Sequence, residues 1–232
     1  MHPLVYDLIK DFHPLRWTSK YRRTTVPYLI IMFLFYSAIH LIVVVAALLL
    51  IQLTDYNFNA NLSFYAANYN IAAGLAAGPM EETLYFGIPL YATGNHIVVM
   101  ATGILWAMIH LPNTSTVQLN ALAYPQFFGL IPSIFLSFRT WISGKGWFAI
   151  VSHSIWDIAV ITPLCISGEL SCNSSDQIDS IIGSIIIAST LTLLTYFLYR
   201  RRVKKLKYKI AIMTVVFIYI ILTFVLAIYF AR

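Results

Sequence analysis

The chain has 232 residues, of which 59% are hydrophobic and only 10% charged, with a mean hydropathy of +0.77. A soluble domain of this length needs far more charge to cover its surface, so composition alone points to a membrane protein. The net charge of +6 does not argue for nucleic acid, because of where the basic residues lie: seven of the 15 fall in Arg200–Lys209, and five more (Lys10, Arg16, Lys20, Arg22 and Arg23) precede the first apolar run. Basic clusters beside apolar spans follow the positive-inside rule and contact anionic lipid headgroups.

The opening residues, 1–27, are polar and charged and read as a cytoplasmic N-terminal segment without a cleavable signal peptide. After them come apolar runs long enough, at about 20 residues, to cross a bilayer. In chain order they are Tyr28–Gln52, Ala66–Thr93, Ile97–Leu111, Leu119–Phe138, Gly146–Leu164, Ile178–Tyr199 and Ile210–Ala231. The third is short. The second contains Pro79, which lacks a backbone N–H and is expected to kink its helix. The expected fold is therefore all-α: a polytopic transmembrane helix bundle of about seven spans over residues 28–232.

Orientation follows from the connections. The N-terminus, Arg139–Lys145 and Arg200–Lys209 are basic, whereas Leu53–Tyr65, Pro112–Gln118 and Cys165–Gln177 contain no Lys or Arg. Seven spans with the N-terminus inside reconcile all six. The sequons at Asn61, Asn113 and Asn173 fall in the three expected outer loops, as does the pair Cys165 and Cys172, where a disulfide can persist or two thiols remain apart. A multi-pass protein of the cell membrane is the expectation, with the bilayer as its first partner.

Ionisable side chains inside hydrocarbon cost about 2.5–3.5 kcal/mol each and mark function when they face a bundle interior. Three of the nine acids sit in expected spans: Glu81 and Glu82 in the second and Asp157 in the fifth. His110 lies in the third span and His153 in the fifth; His40 and His96 match no pattern and are expected to pack or sit at an interface. His153 and Asp157 share a helix face, as do Trp106 and His110, each pair four residues apart. Glu81 and Glu82 point about 100° apart, so one can face a cavity while the other braces a neighbouring helix. The segment Gly74-Leu75-Ala76-Ala77-Gly78 just upstream permits close helix approach.

These groups support hydrolysis in either of two ways. A carboxylate and a neutral imidazole can hold a water and take its proton, while a second imidazole stabilises an oxyanion. Alternatively Glu81, His110, His153 and Asp157 can ligate zinc or another divalent metal.

At these residues the sequence resembles the CPBP intramembrane proteases, the family of CAAX prenyl endopeptidases and bacteriocin-processing or immunity proteins. Three motifs appear in order: Glu81-Glu82-Thr83-Leu84-Tyr85-Phe86 for EExxxR, Trp106-Ala107-Met108-Ile109-His110 for F/WxxxH, and His153-Ser154-Ile155-Trp156-Asp157 for HxxxN/D. The resemblance covers the motif-bearing core at about residues 70–165. It implies that Glu81 with His110 activates the attacking water, that His153 and Asp157 bind the oxyanion or help hold a metal, and that Glu82 orients its neighbours. The substrate it implies is a membrane-embedded or lipidated protein.

Phe86 departs from the motif, which has Arg there. Three carboxyls near two imidazoles then lack an internal cation, so the imidazoles must carry protons, a carboxyl must stay protonated, or a metal must supply charge. The same departure admits a catalytically silent relative acting as a subunit of a membrane complex. A third class, an ion or proton pathway through the buried acids, also remains open.

Overall fold

The computed structural model describes residues 24–53, 71–110, 120–166, 178–201 and 204–230, with isolated positions 3, 5 and 6. Among these residues every regular element is helical and no strand occurs. The elements are α1 Val26–Leu53, α2 Ile71–Glu82, a π-helical turn Thr83–Gly87, α3 Ile88–Thr93, α4 His96–Ile109, α5 Asn120–Ile142, α6 Gly146–Ile166, α7 Ile178–Arg201 and α8 Leu206–Phe230. The seven expected spans thus correspond to α1, the continuous run α2–π–α3, and α4 to α8. The stretches Val26–Val43 and Ile182–Arg201 are long and apolar enough to cross a membrane.

One boundary needs correction. Arg139 belongs to α5, which runs on to Ile142, so the connection shrinks to Ser143–Lys145. Pro79 lies inside α2, and downstream the backbone widens into the π turn at Thr83. The three sequons and Cys172 lie outside the described residues.

The second span is held by what its prolines leave undone. Pro79 has no N–H to offer the Leu75 carbonyl four residues earlier. Ser154 on α6 donates to that carbonyl at 2.9 Å. Pro89 likewise cannot serve the Tyr85 carbonyl, and Thr102 on α4 donates to it at 2.5 Å. Each orphaned acceptor is thereby answered by a hydroxyl from another helix, as buried backbone demands. Both docking helices carry a motif. Thr83 stays within its own run, its hydroxyl reaching back to Pro79 O at 2.5 Å.

Close approach reinforces this. A Cβ at Gly78 would collide with Ile150 O and the Ser154 backbone, so α2 lies directly on the α6 backbone there. The small-residue segment read from the sequence does bring a helix in, and that helix carries His153.

The short turns fix the remaining helices. Gly94 adopts φ +66° and closes α3 with a bond to Leu90 O at 2.8 Å; Asn95 then caps α4 by accepting from the Ile97 N–H at 2.9 Å. After α5, Gly144 at φ +77° bonds Trp141 O, and Lys145 N–H bonds Thr140 O at 2.9 Å, a Schellman motif. Around the π turn, Tyr85, Phe86 and Ile88 form the main core with Trp106, Ile134 and Phe138. A second cluster joins Leu29, Met32 and Tyr36 of α1 to Leu136 and Phe148.

Candidate active site

Glu82 sits at the closed end of the site, 2% exposed. It accepts from Ser137 Oγ at 2.6 Å and Trp141 Nε1 at 2.8 Å, both on α5, and faces His153 Nδ1 at 3.1 Å. Its carboxylate is enclosed by donors, and it acts as the brace joining α2, α5 and α6. Gly87 and Gly146 leave the space that the Trp141 indole fills.

Glu81 points elsewhere and remains 24% exposed at its side chain. Its Oε2 accepts from Trp106 Nε1 of α4 and lies 3.5 Å from His153 Nε2. The same Nε2 is 3.7 Å from Asp157 Oδ2, whose side chain is 17% exposed. The adjacent acids thus divide as their angular separation requires: one sealed, one open.

His153 is the hub. Both of its ring nitrogens face carboxylate oxygens, which when ionised only accept, so two ionised carboxylates on opposite nitrogens call for a proton on each. A proton on both nitrogens would give His153 a positive charge inside the carboxylate cluster. Burial of such a charge is tolerable when it is paired this way.

Trp106 is the second organising residue. Its indole N–H goes to Glu81, and its backbone carbonyl accepts from His110 Nδ1 at 2.9 Å. A carbonyl cannot donate, so Nδ1 carries the proton and Nε2 of a neutral His110 presents its lone pair. The indole packs edge-on against the His110 and His153 rings, with centroids 5.2 and 5.5 Å away. No hydrogen bond or ion pair joins His110 to Glu81 among the described residues; Trp106 links them.

Phe86 is 1% exposed and packs edge-on to Trp106 at a ring-centroid distance of 6.3 Å. Its other side enters a notch on α4: a Cβ on Gly103 would lie 2.7 Å from the Phe86 ring. His40 is buried on α1 against Trp156, with ring centroids 5.3 Å apart, and His96 meets Phe138 edge-on. Both pack against aromatic rings, as expected of them.

The site gathers Glu81, Glu82, His153 and Asp157 directly and His110 by way of Trp106. The sequence reading missed Ser137 and Trp141. They share one face of α5 at the same four-residue spacing as the motif pairs, but neither is ionisable, so a search for charged intruders passed over them. Among the described residues no group of three or more His, Cys, Asp or Glu side chains is arranged to hold a metal ion.

Among the described residues, a carboxylate–imidazole cluster thus lies between helices, with the three motifs meeting around His153 and Trp106. Residues 64–159 match the family described as Type II CAAX prenyl endopeptidase Rce1-like. The match spans all three motifs, and the resemblance of this segment to the CAAX proteases is therefore shown on the whole segment as well as on its motifs. No curated protein and no solved structure matches the chain.

Proposed function

We propose that this chain is a multi-pass integral membrane endopeptidase that hydrolyses a membrane-embedded or lipidated protein with a water activated at Glu81. The observation that carries the reading is the division of labour between the acids: Glu82 is enclosed by Ser137, Trp141 and His153, while Glu81 stays partly open beside His153 and Asp157. Glu81 takes a proton from the water, whose oxygen attacks the scissile carbonyl. His110, with its Nε2 lone pair, helps hold that water. The Nε2–H of His153 donates to the oxyanion as it forms, and Glu81 returns its proton to the departing amine. The large apolar side chains on the outer faces of α7 and α8 support burial in lipid, and the match to a CAAX protease family supports the substrate class.

The seven-span topology with the N-terminus inside belongs to the same proposal. It is supported by contacts that gather at one end of the helices: Lys209 Nζ to Thr93 O at 3.4 Å, Arg139 to the Tyr28 hydroxyl at 3.4 Å, and Tyr91 against Tyr199. Basic residues flank that end.

The test is mass spectrometry of products after the detergent-purified protein meets prenylated C-terminal peptides and single-span membrane peptides. Discrete cuts that vanish in both Glu81→Gln and His110→Ala are the expected result, and a chelator arm separates a metal-assisted from a metal-free route. Absence of cutting across all substrates would argue for a silent subunit of a membrane complex instead.

A further inference from the structure

We infer that Phe86 and Trp106 form a positioning pair for Glu81, in which an apolar brace and an indole N–H do the work of orienting the carboxylate. The inference rests on the endopeptidase reading above and deepens it. Neither residue need touch substrate.

The geometry runs in one direction along four residues. Gly103 leaves a notch on α4 that only the absence of a Cβ provides, since a methyl there would sit 2.7 Å from Phe86 Cε1 and 3.1 Å from Ile134 Cγ2. Phe86 fills the notch and presents its ring to the indole of Trp106 at 63°. Trp106 is 3% exposed, so the ring has little freedom to swing. Its N–H ends on Glu81 Oε2. Aromatic pairs of this edge-to-face kind add about 0.5–1.5 kcal/mol beyond burial and fix relative orientation.

The chemistry explains why Phe and not a cation occupies position 86. A guanidinium placed there would meet the Gly103 notch and the edge of the Trp106 indole, which offer it no hydrogen-bond acceptor. An uncompensated buried charge is strongly unfavourable. The Phe is therefore matched to its surroundings. It also matters that the second motif begins with Trp: a Phe at 106 would pack comparably but donate nothing to Glu81.

The experiment compares kcat and KM for wild type, Trp106→Phe, Phe86→Leu, Phe86→Arg and the double variant Phe86→Arg/Trp106→Phe. Trp106→Phe keeps the ring and removes the N–H; we expect kcat to fall about 100-fold, the scale of a misplaced catalytic group, with KM nearly unchanged. Phe86→Leu keeps the apolar fill and should lose roughly threefold, while Phe86→Arg should lose as much as Trp106→Phe. Losses along one path do not multiply, so the double variant should be no slower than the worse single one. Wild-type kcat in Trp106→Phe, a gain in Phe86→Arg, or multiplicative losses would each overturn the pairing.

A readout independent of activity is the ¹⁵N–H resonance of the Trp106 indole in detergent. It should move in Glu81→Gln and in Phe86→Leu; a resonance indifferent to Glu81→Gln overturns the proposal even if the enzyme is active. Shifts as expected in a protein that cuts nothing would support the pairing and sink the endopeptidase reading.

Discussion

The helices α2, α4, α5 and α6 differ from α7 and α8 in what holds them. In the first group, side-chain hydroxyls and indoles reach across helices to carbonyls and carboxylates: Ser154 to Leu75 O, Thr102 to Tyr85 O, Ser137 and Trp141 to Glu82. In the second group the buried face is narrow, with Ala188, Thr195 and Leu198 on α7 and Met213, Val216 and Ile220 on α8. Among the described side chains, many of the others on those helices are exposed Ile, Leu, Val, Phe and Tyr. Polar contact is not absent there, since Lys209 Nζ of α8 reaches Thr93 O at 3.4 Å. Apolar packing is nonetheless a weak and forgiving tether when the surroundings are lipid, whereas polar bridges fix register. The motif-bearing region is thus the part of the molecule whose geometry is specified, and α7 and α8 shield it.

That contrast can be broken by substitution, and the largest effect should come from Glu82→Ala. It strands the Ser137, Trp141 and His153 donors in a closed site and is expected to cost about 3–5 kcal/mol, read as a fall in Tm in detergent. Loss of less than 1 kcal/mol would remove Glu82 from its bracing role. Next is Gly78→Ala, which drives a methyl into the backbone of α6 and should cost about 1–3 kcal/mol, since backbone cannot step aside as a flexible side chain does. The matched change in the shielding helices is Gly183→Ala, where nothing lies within 4 Å of the added carbon. There the helix gains about 0.5–1 kcal/mol from reduced backbone freedom. Equal outcomes at Gly78 and Gly183 would erase the distinction between the two regions.

A finer test uses the orphaned carbonyl. Ser154→Ala should destabilise by about 0.6–1.7 kcal/mol, the range of measured interhelical hydrogen bonds in membranes. In a Pro79→Ala background the helix can serve Leu75 O itself, so the same substitution should cost much less. A double-mutant cycle in thermal unfolding measures the coupling, and strict additivity would show that Pro79 and Ser154 do not share that acceptor. The smallest effect is expected at Leu193→Ala, on the outer face of α7, where the side chain is 68% exposed and the change should stay within about 0.5 kcal/mol.

The extent of the fold was legible because apolar runs and turn residues leave direct marks. Gly94-Asn95 and Gly144 punctuate the chain where α3, α4, α5 and α6 begin and end. The π turn was not legible: it depends on Thr83–Gly87 packing against α4 and α5, which local propensity does not encode. Within the site, the split between Glu81 and Glu82 followed from helix geometry alone. Their partners did not. Glu81 and His153 stand on separate spans, and nothing in their sequence spacing foretells that they lie 3.5 Å apart. The tight contact at Gly78 and the two proline-freed carbonyls bring the helices together there. The link from His110 to Glu81 through Trp106 was equally hidden, because it depends on a backbone carbonyl and an indole rather than on a charge.

Glu81, and not its enclosed neighbour, is the group proposed to activate the water. The most direct test is the cleavage rate of Glu81→Gln against wild type, on whichever peptide the wild type cuts, with Tm measured on the same preparations. The expected result is a rate reduced by about 10²–10⁴-fold with Tm close to that of wild type, because the general base is lost while the Glu82 brace remains. A Glu81→Gln protein that cuts at an undiminished rate would contradict it.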